Sequence, residues 1–410
     1  MVAAKKTAAK KVSGRELLAK MRKEDSDIIG RVEDFDLEIV GQSTGNISID
    51  FLSGIGGVPK GRIIESYGPY SSGKTTAAIM TMGQMQKRMK AEGDEDGLLI
   101  FVDYEHTFDS KYALALGLDS SADNFVYMAP NTLEEGMNTF RQLLDTGDVR
   151  LVIFDSVAAM VPEGEIEAET GKAEVGLRAK LLNQSCRQIT GKLAKYGTTA
   201  WFCNHVQEKI DTSYMGRQLA SRGIKQWVSP GGTALPFYAS FRIFFEKAGT
   251  AKSKEFDALG NTDDEEVTGQ KIKMTVTKNK VGPAFRVAEL RIHRGKGFSQ
   301  AYSVYNVLES HGLIKKSGSW IKVNESVVPE TLKEKVDDKG WMQMQGEDNL
   351  IKAIESSPEW LRVAENKARE ILTEFGLPTV DGSLYNSDGE VDAEKLLKVN
   401  KTTGEVADSE

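Results

Sequence analysis

Residues 68–76 read GPYSSGKTT, and this stretch restricts the fold more than any other. It fits the pattern G-x-x-x-x-G-K-[ST]. It follows the apolar run RIIESYG and opens the helical pattern KTTAAIMTMGQMQKRMKAEG, so it is a strand–loop–helix junction. Gly68 and Gly73 let the backbone N–H groups turn inward, and the helix N-terminus reinforces them with its positive end. A loop of this kind holds a phosphate chain, with Ser71, Ser72 and Thr76 completing the wrap. Lys74 would neutralise the outer phosphates, and Thr75 would offer its hydroxyl to Mg2+. The competing reading is a Gly/Ser turn that matches by chance, and the strand–loop–helix context argues against it.

A junction of this type belongs in a sheet of parallel strands. The runs GLLIFVDYE, VRLVIFDSVAAM, TTAWFCNHV, FYASFRIFFEK, KIKMTVTKNKV and AELRIHRG read as further strands, with helical patterns between the earlier ones. They predict an α/β fold with a mostly parallel central sheet and later strands that pair antiparallel. The run VRLVIFD ends in Asp155, at the sheet's carboxyl edge, where a carboxylate holds Mg2+ through water. FVDYEH places Glu105 similarly, to orient or deprotonate an attacking water. A surface carboxylate in a salt bridge is the alternative for Glu105. Together these groups point to hydrolysis of an ATP-class nucleotide.

The 410 residues suffice for two or three domains, and 40% hydrophobic with 28% charged residues is ordinary globular composition. No apolar run is long enough to span a membrane, and the basic N-terminal stretch lacks the apolar core of a signal peptide, so a cytoplasmic protein is expected. Cys186 and Cys203 are far apart and the four histidines are scattered, which argues against a zinc site. The net charge of −7 conceals an uneven distribution. Residues 1–23 carry eight Lys/Arg against Glu16, and residues 172–226 carry ten against three acids. From Asp381 onward there are eight acids and three lysines. Local phosphate binding and solvated charge faces are both compatible with this. The expected organisation is a basic helical segment and linker over 1–37, with Ser13 capping the helix at 13–24. A nucleotide-binding core follows over 38–300, then a small α+β lobe over 301–380 and an acidic tail over 381–410.

The order of these elements resembles the RecA recombinase family across roughly residues 38–330. STGNISIDFLSGIGGVPKGRIIESYGPYSSGKTT, FVDYEHTFDSKYALALG, VIFDSVAAMVPEGEIE, GGTALPFYASFRI and KNKVGPAF carry the resemblance, in the family's order. It implies a RecA-like P-loop NTPase core with ATP and Mg2+ bound at subunit interfaces, and Glu105 as the catalytic carboxylate. Asp109 and Tyr112 match adenine contacts. Lys278 and Lys280 match lysines that reach a neighbour's γ-phosphate, in the manner of an arginine finger; read without the family they are exposed lysines. Asn204 and His205 fall where the family senses that phosphate. The resemblance also implies a helical filament on single-stranded DNA, pairing with homologous double-stranded DNA, the N-terminal helix docking on the adjacent core. Single-strand-binding and loader proteins are expected partners.

The stretches 163–176 and 206–232 resemble the family's two DNA-binding loops. Val175, Gly176, Lys180, Arg187 and Lys209 occupy DNA-contact positions, and Ile210 matches an apolar wedge between base triplets. Gly231, Gly232 and Thr233 precede a helix and offer N–H groups to a phosphate. Trp227 and Tyr214 suit either base stacking or a subunit contact. Two departures stand out. The family's Asn-Gln pair is Asn204-His205 here, as in phage recombinases of the UvsX type, and histidine titrates near neutrality where glutamine does not. Arg294 replaces a stacking tyrosine.

Overall fold

A computed structural model of the chain describes residues 13–24, 39–167, 176–208, 227–253 and 266–374. The chain divides into two compact units, residues 1–39 and 40–410. The first contains one described helix, α1 (Gly14–Glu24). Its start is a reciprocal box: Glu16 N–H donates to Ser13 Oγ (3.2 Å), and Ser13 N–H donates to Glu16 Oε2 (3.0 Å). Two backbone donors that the helix cannot satisfy internally are thereby paired. None of its residues is buried, and Leu17 and Leu18 stay exposed.

The second unit opens with α2 (Ile47–Ser53), capped by Asn46, whose side chain accepts from the N–H groups of Ser48 and Ile49. The elements β1 (Ile63–Gly68), α3 (Lys74–Glu92), β2 (Leu98–Asp103), α4 (Ser110–Ala115), β3 (Phe125–Met128) and α5 (Leu133–Leu144) follow. Next come β4 (Val149–Asp155), α6 (Glu163–Glu167), α7 (Leu177–Tyr196), β5 (Thr199–His205) and α8 (Ala234–Tyr238). The sheet ends with β6 (Phe241–Ser253), β7 (Glu266–Asn279), β8 (Val287–His293) and β9 (Gly297–Phe298).

These nine strands form one sheet in the order β9-β8-β7-β6-β1-β5-β4-β2-β3. From β6 to β3 every pairing is parallel, and β7, β8 and β9 add on antiparallel. The central strands are near-continuous apolar runs because both of their faces are covered. Ile64, Phe101, Ile153 and Trp201 point to the face covered by α3. Their chain neighbours Ile63, Ile100, Val152 and Phe202 point to the face covered by α5 and α7. Each helix offers one apolar stripe at helical spacing, such as Leu182, Cys186, Ile189 and Leu193 on α7. Cys203, fully buried, is a small core residue facing α3.

The strand Phe125–Met128 is a difference from the sequence pattern, which names no strand between Gly117 and Leu133. It is short, lies at the sheet's edge and has no buried residue, so it lacks the apolar signature of its neighbours.

Beyond the sheet lie α9 (Gln300–Ser310), β10 (Ile314–Ser317), β11 (Trp320–Asn324), β12 (Trp341–Gln345), α10 (Glu347–Ser356) and α11 (Pro358–Glu374). The three strands make an antiparallel meander. Their core gathers Val304, Tyr305, Leu308, Ile354 and Trp360, and it also includes Ile47 of α2. Asn46 Nδ2 donates to Ser303 Oγ (3.0 Å), and Ile47 N–H to Gln300 Oε1 (3.2 Å), so α2 and α9 share buried polar as well as apolar contacts.

Candidate active site

The carboxyl ends of the parallel strands lie level with one another: Gly68 pairs with His205, and Asp103 with Asp155. A parallel sheet presents its ligand site at that edge. The loop between β1 and α3 needs its glycines for distinct reasons. A Cβ on Gly68 would lie 2.2 Å from the Phe245 carbonyl oxygen of β6, so close backbone approach requires the residue. Gly73 has φ +87° at the N-cap of α3, a left-handed conformation that a side chain would strain.

Lys74 is buried, and its ammonium donates to Gly68 O (3.1 Å), Pro69 O (2.7 Å) and Ser72 Oγ (3.4 Å). Burial pulls its pKa down, against the opposing pull of nearby Cys203, Asp155 and Glu105. Ser72 is buried and its hydroxyl donates to Pro69 O (2.8 Å), while Ser71 is exposed with φ +55°. Thr75 Oγ1 donates to Asp155 Oδ2 at 2.8 Å, and the peptide bond after Asp155 is cis. Burial, joined by repulsion from Glu105 and Asp103, pushes the Asp155 carboxyl up to about 6. A hydroxyl beside a carboxylate, in a backbone cradle that leaves no room for a side chain, is a hard-oxygen donor set suited to Mg2+ with a phosphate chain. The residues present therefore fit the group.

Glu105 lies on the turn after β2. Its Oε1 accepts both from Ser156 Oγ and from His205 Nε2, the latter at 2.9 Å. No hydrogen bond reaches Oε2 from the described residues. The His205 contact is the main reason that the Glu105 carboxyl is held below the usual glutamate range, with Ser156 adding to it against partial burial. The alternative reading of Glu105 as a salt-bridged carboxylate thus has a counterpart here, although the partner is a histidine inside the site. Asp103 is fully buried and accepts from the N–H groups of Glu105 (3.0 Å), Thr107 (2.9 Å) and Phe108 (2.9 Å). It shapes the turn that presents Glu105. Sequence reasoning did not single out Asp103 or Ser156; an Asp closing a strand before a polar turn is the available signal for the first.

Thr76 Oγ1 and the Tyr112 hydroxyl lie 3.0 Å apart, which seats Tyr112 beside the loop while its ring packs on the α3-side core. Asp109 caps α4, its Oδ1 accepting from Lys111 N–H (2.8 Å) and Tyr112 N–H (3.1 Å). Asn204 is buried and bridges two elements: Nδ2 donates to Glu65 Oε1 (3.0 Å) and to Pro230 O (3.0 Å). Its Oδ1 is buried without a partner among the described residues. Glu65 is also fully buried and pairs with Arg242 Nε at 2.5 Å.

Lys278 and Lys280 are not part of this cluster. Asn279 pairs with Phe241, which pairs with Ile64 near the start of β1. The lysines therefore sit at the amino end of β1, whereas the phosphate loop leaves its carboxyl end at Gly68. Four residues of strand alone separate the two levels by roughly 13 Å. Lys278 Nζ donates to Pro236 O (2.7 Å) and Phe237 O (2.9 Å) at the end of α8, carbonyls that the helix leaves free. Burial, with Lys280 and Arg242 nearby, pulls its pKa down. Lys280 is exposed.

Of the expected nucleic-acid contacts, Val175, Lys209 and Ile210 lie outside the described residues, as do Tyr214 and the acidic tail. Gly176 caps α7 at φ +84°, and Lys180 and Arg187 are exposed seven residues apart on one face of that helix. Gly231 and Gly232, both at positive φ, pack against α7: a Cβ there would meet Leu182 Cδ2 at 2.9 Å and Ala179 Cβ at 2.8 Å. Thr233 is the N-cap of α8. The structure thus brings residues 176–187 and 231–233 together. Trp227, on a two-stranded ribbon with Gln207–Glu208, lies with its ring 6.2 Å from Phe244. Arg294 is exposed in the turn between β8 and β9.

Comparison with known proteins adds the ancestry. The RecA N-terminal domain family matches residues 18–299. The chain is 36% identical to Protein RecA of Nostoc sp. strain PCC 7120 over 350 residues, covering 85% of this chain and 86% of that protein. It is 36% identical to Protein RecA of Thermus thermophilus over 327 residues, covering 80% and 84%. Protein RecA of Corynebacterium aurimucosum is 40% identical over 278 residues, covering 68% and 66%.

Proposed function

The chain belongs to the RecA family, and from that premise we propose that it is an ATP-dependent DNA recombinase. It polymerises on single-stranded DNA, pairs that strand with homologous duplex, and uses hydrolysis for turnover and release. The observation that carries this reading is the Asn204 bridge to Pro230 (3.0 Å). It fastens the strand that ends in the nucleotide cluster to the turn packed on Ala179 and Leu182 of α7, the helix whose exposed side carries Lys180 and Arg187, so the two sites share a mechanical link.

In this reading the 68–76 loop binds the triphosphate, and Lys74 exchanges its loop carbonyls for phosphate oxygens. Mg2+ held by Thr75 and Asp155 supplies charge neutralisation at the outer phosphates. Glu105, anchored through Oε1, turns Oε2 to the attacking water and receives its proton. Asp109 and Tyr112 hold the base. Asn204 and His205 stand where the γ-phosphate is read. Lys278 and Lys280 complete the site of an adjacent subunit, and their place at the opposite end of the sheet supports action between chains. Lys180, Arg187 and residues 231–233 bind the DNA backbone, leaving the homology check to base pairing.

The test is strand exchange between a single-stranded oligonucleotide and labelled duplex, with ATP and Mg2+, homologous in one tube and unrelated in the other. Product confined to the homologous tube is expected. Strand displacement in both tubes would mean a helicase instead, and ATP turnover with no product in either would remove the recombinase reading.

A further inference from the structure

The phosphate loop carries one aromatic side chain, Tyr70, which its nucleotide-binding role does not explain. Tyr70 is 65% exposed. Its hydroxyl makes no hydrogen bond to any described residue. Its ring, however, is stacked on the imidazole of His205, centroids 4.3 Å apart and planes 27° apart. His205 in turn bonds Glu105 through Nε2, while its Nδ1 is buried with no partner among the described residues. An imidazole with one bonded nitrogen can swing about that single bond. The stacked ring removes that freedom by covering one face, since aromatic pairs at this separation favour a defined mutual orientation.

We propose that Tyr70 is a positioning residue for hydrolysis: through its stack on His205 it fixes the imidazole, and thereby the Glu105 carboxylate, in the orientation that leaves Oε2 for water. The assignment rests on the reading of Glu105 given above. It makes a side chain of the phosphate loop responsible for the rate of the chemical step, although the loop's backbone does the phosphate binding. It also gives the histidine at position 205 a local companion. The two rings come from adjacent strand ends, β1 and β5, whose register pairs Gly68 with His205 and so sets Tyr70 within reach.

The experiment compares wild type, Tyr70→Ala and Tyr70→Phe in ATP hydrolysis with single-stranded DNA. The imidazole proton signals of His205, assigned by their loss in His205→Gln, are recorded in the same proteins. Tyr70→Ala is expected to lower kcat on the order of tenfold while KM for ATP stays within about twofold, because orientation and not binding is lost. The His205 signals should move downfield as the ring current disappears, and Tyr70→Phe should restore both readouts. An unchanged kcat in Tyr70→Ala overturns the proposal. So does a raised KM at constant kcat, which would make Tyr70 a nucleotide contact, or a failure of Tyr70→Phe to rescue. If wild type hydrolyses no ATP, the reading of Glu105 fails, and the imidazole signals decide alone. Signals unmoved in Tyr70→Ala then overturn the positioning too, and moved signals retain Tyr70 as the group that sets His205.

Discussion

At the scale of single residues, the site is a set of conflicting demands on charge. Asp155 is buried beside Thr75, and its carboxyl is pushed up to about 6 from an ordinary 3.8. A raised acid contributes its stability below the ordinary value and loses it as pH rises through the folded value. The protein without nucleotide or Mg2+ therefore bears a cost at pH 7.5, on the order of 2–3 kcal/mol, that it escapes near pH 4. Asp155→Asn should raise the melting temperature of ligand-free protein at pH 7.5 and change it little at pH 4.5, while abolishing the further stabilisation by Mg2+ and ATP. Thermal melts at the two pH values check this. Glu105 runs the other way. Its carboxyl is held low chiefly by His205, so the pairing stabilises above the usual glutamate value of about 4.3 and is lost as pH falls through the depressed one. His205→Ala should therefore soften the acid limb of stability as pH falls below the usual glutamate value. Glu105→Gln should keep nucleotide and DNA binding and reduce turnover by about two orders of magnitude or more, measured as DNA-stimulated phosphate release.

Single elements separate what a sequence states from what only a fold can. The phosphate loop, α3 and the strand ending in Asp155 follow directly from local pattern, because a glycine-lysine loop and a buried apolar run each have one stable use. The carboxylates Glu105 and Asp155 were legible for the same reason: each follows an apolar run at the edge where such sheets bind ligands. The strand Phe125–Met128 was not, because an edge strand with exposed Tyr127 carries no apolar run. Ser156 escaped because its hold on Glu105 requires knowing that β2 and β4 are neighbours, whereas Asp103 acts within its own turn and left only the weak signal of an Asp closing a strand. The position of Lys278 and Lys280 depends on antiparallel register and was readable only as a spacing. That register supports a prediction at the level of β7. Lys278→Ala alone should lose most DNA-stimulated ATPase activity, and titration with the Glu105→Gln variant should recover part of it. On the proposed assignment, each variant contributes the half that the other lacks. No recovery in any mixture would place both groups within one chain's site.

For the whole second unit, the boundary expected near residue 300 is stitched on both sides. Ile47 belongs to the core built by residues 301–372, and Asn46 bonds Ser303. Arg291 of β8 reaches Glu347 (3.0 Å) and Asp348 (2.5 Å) at the start of α10, and its guanidinium lies 4.2 Å from the Tyr302 ring centroid. Removing residues 300–410 would bare Ile47, a buried side chain worth roughly 2 kcal/mol or more, and strand a buried Asn46 amide. The truncated protein should melt at least several degrees lower than the full chain, as scanning calorimetry would record; an unchanged transition would mean that the lobe is thermally independent of the sheet.

The opposed ends of β1 carry one further consequence, on the proposed assignment of the lysines. A chain that holds the loop at one end of its sheet and the finger at the other owns two halves and no whole. In an open row of n subunits, only n − 1 junctions are complete, and one terminal subunit binds nucleotide that it cannot spend. Turnover per subunit would then climb with row length towards a plateau, so that the protein reads the extent of its own assembly through the arithmetic of its ends.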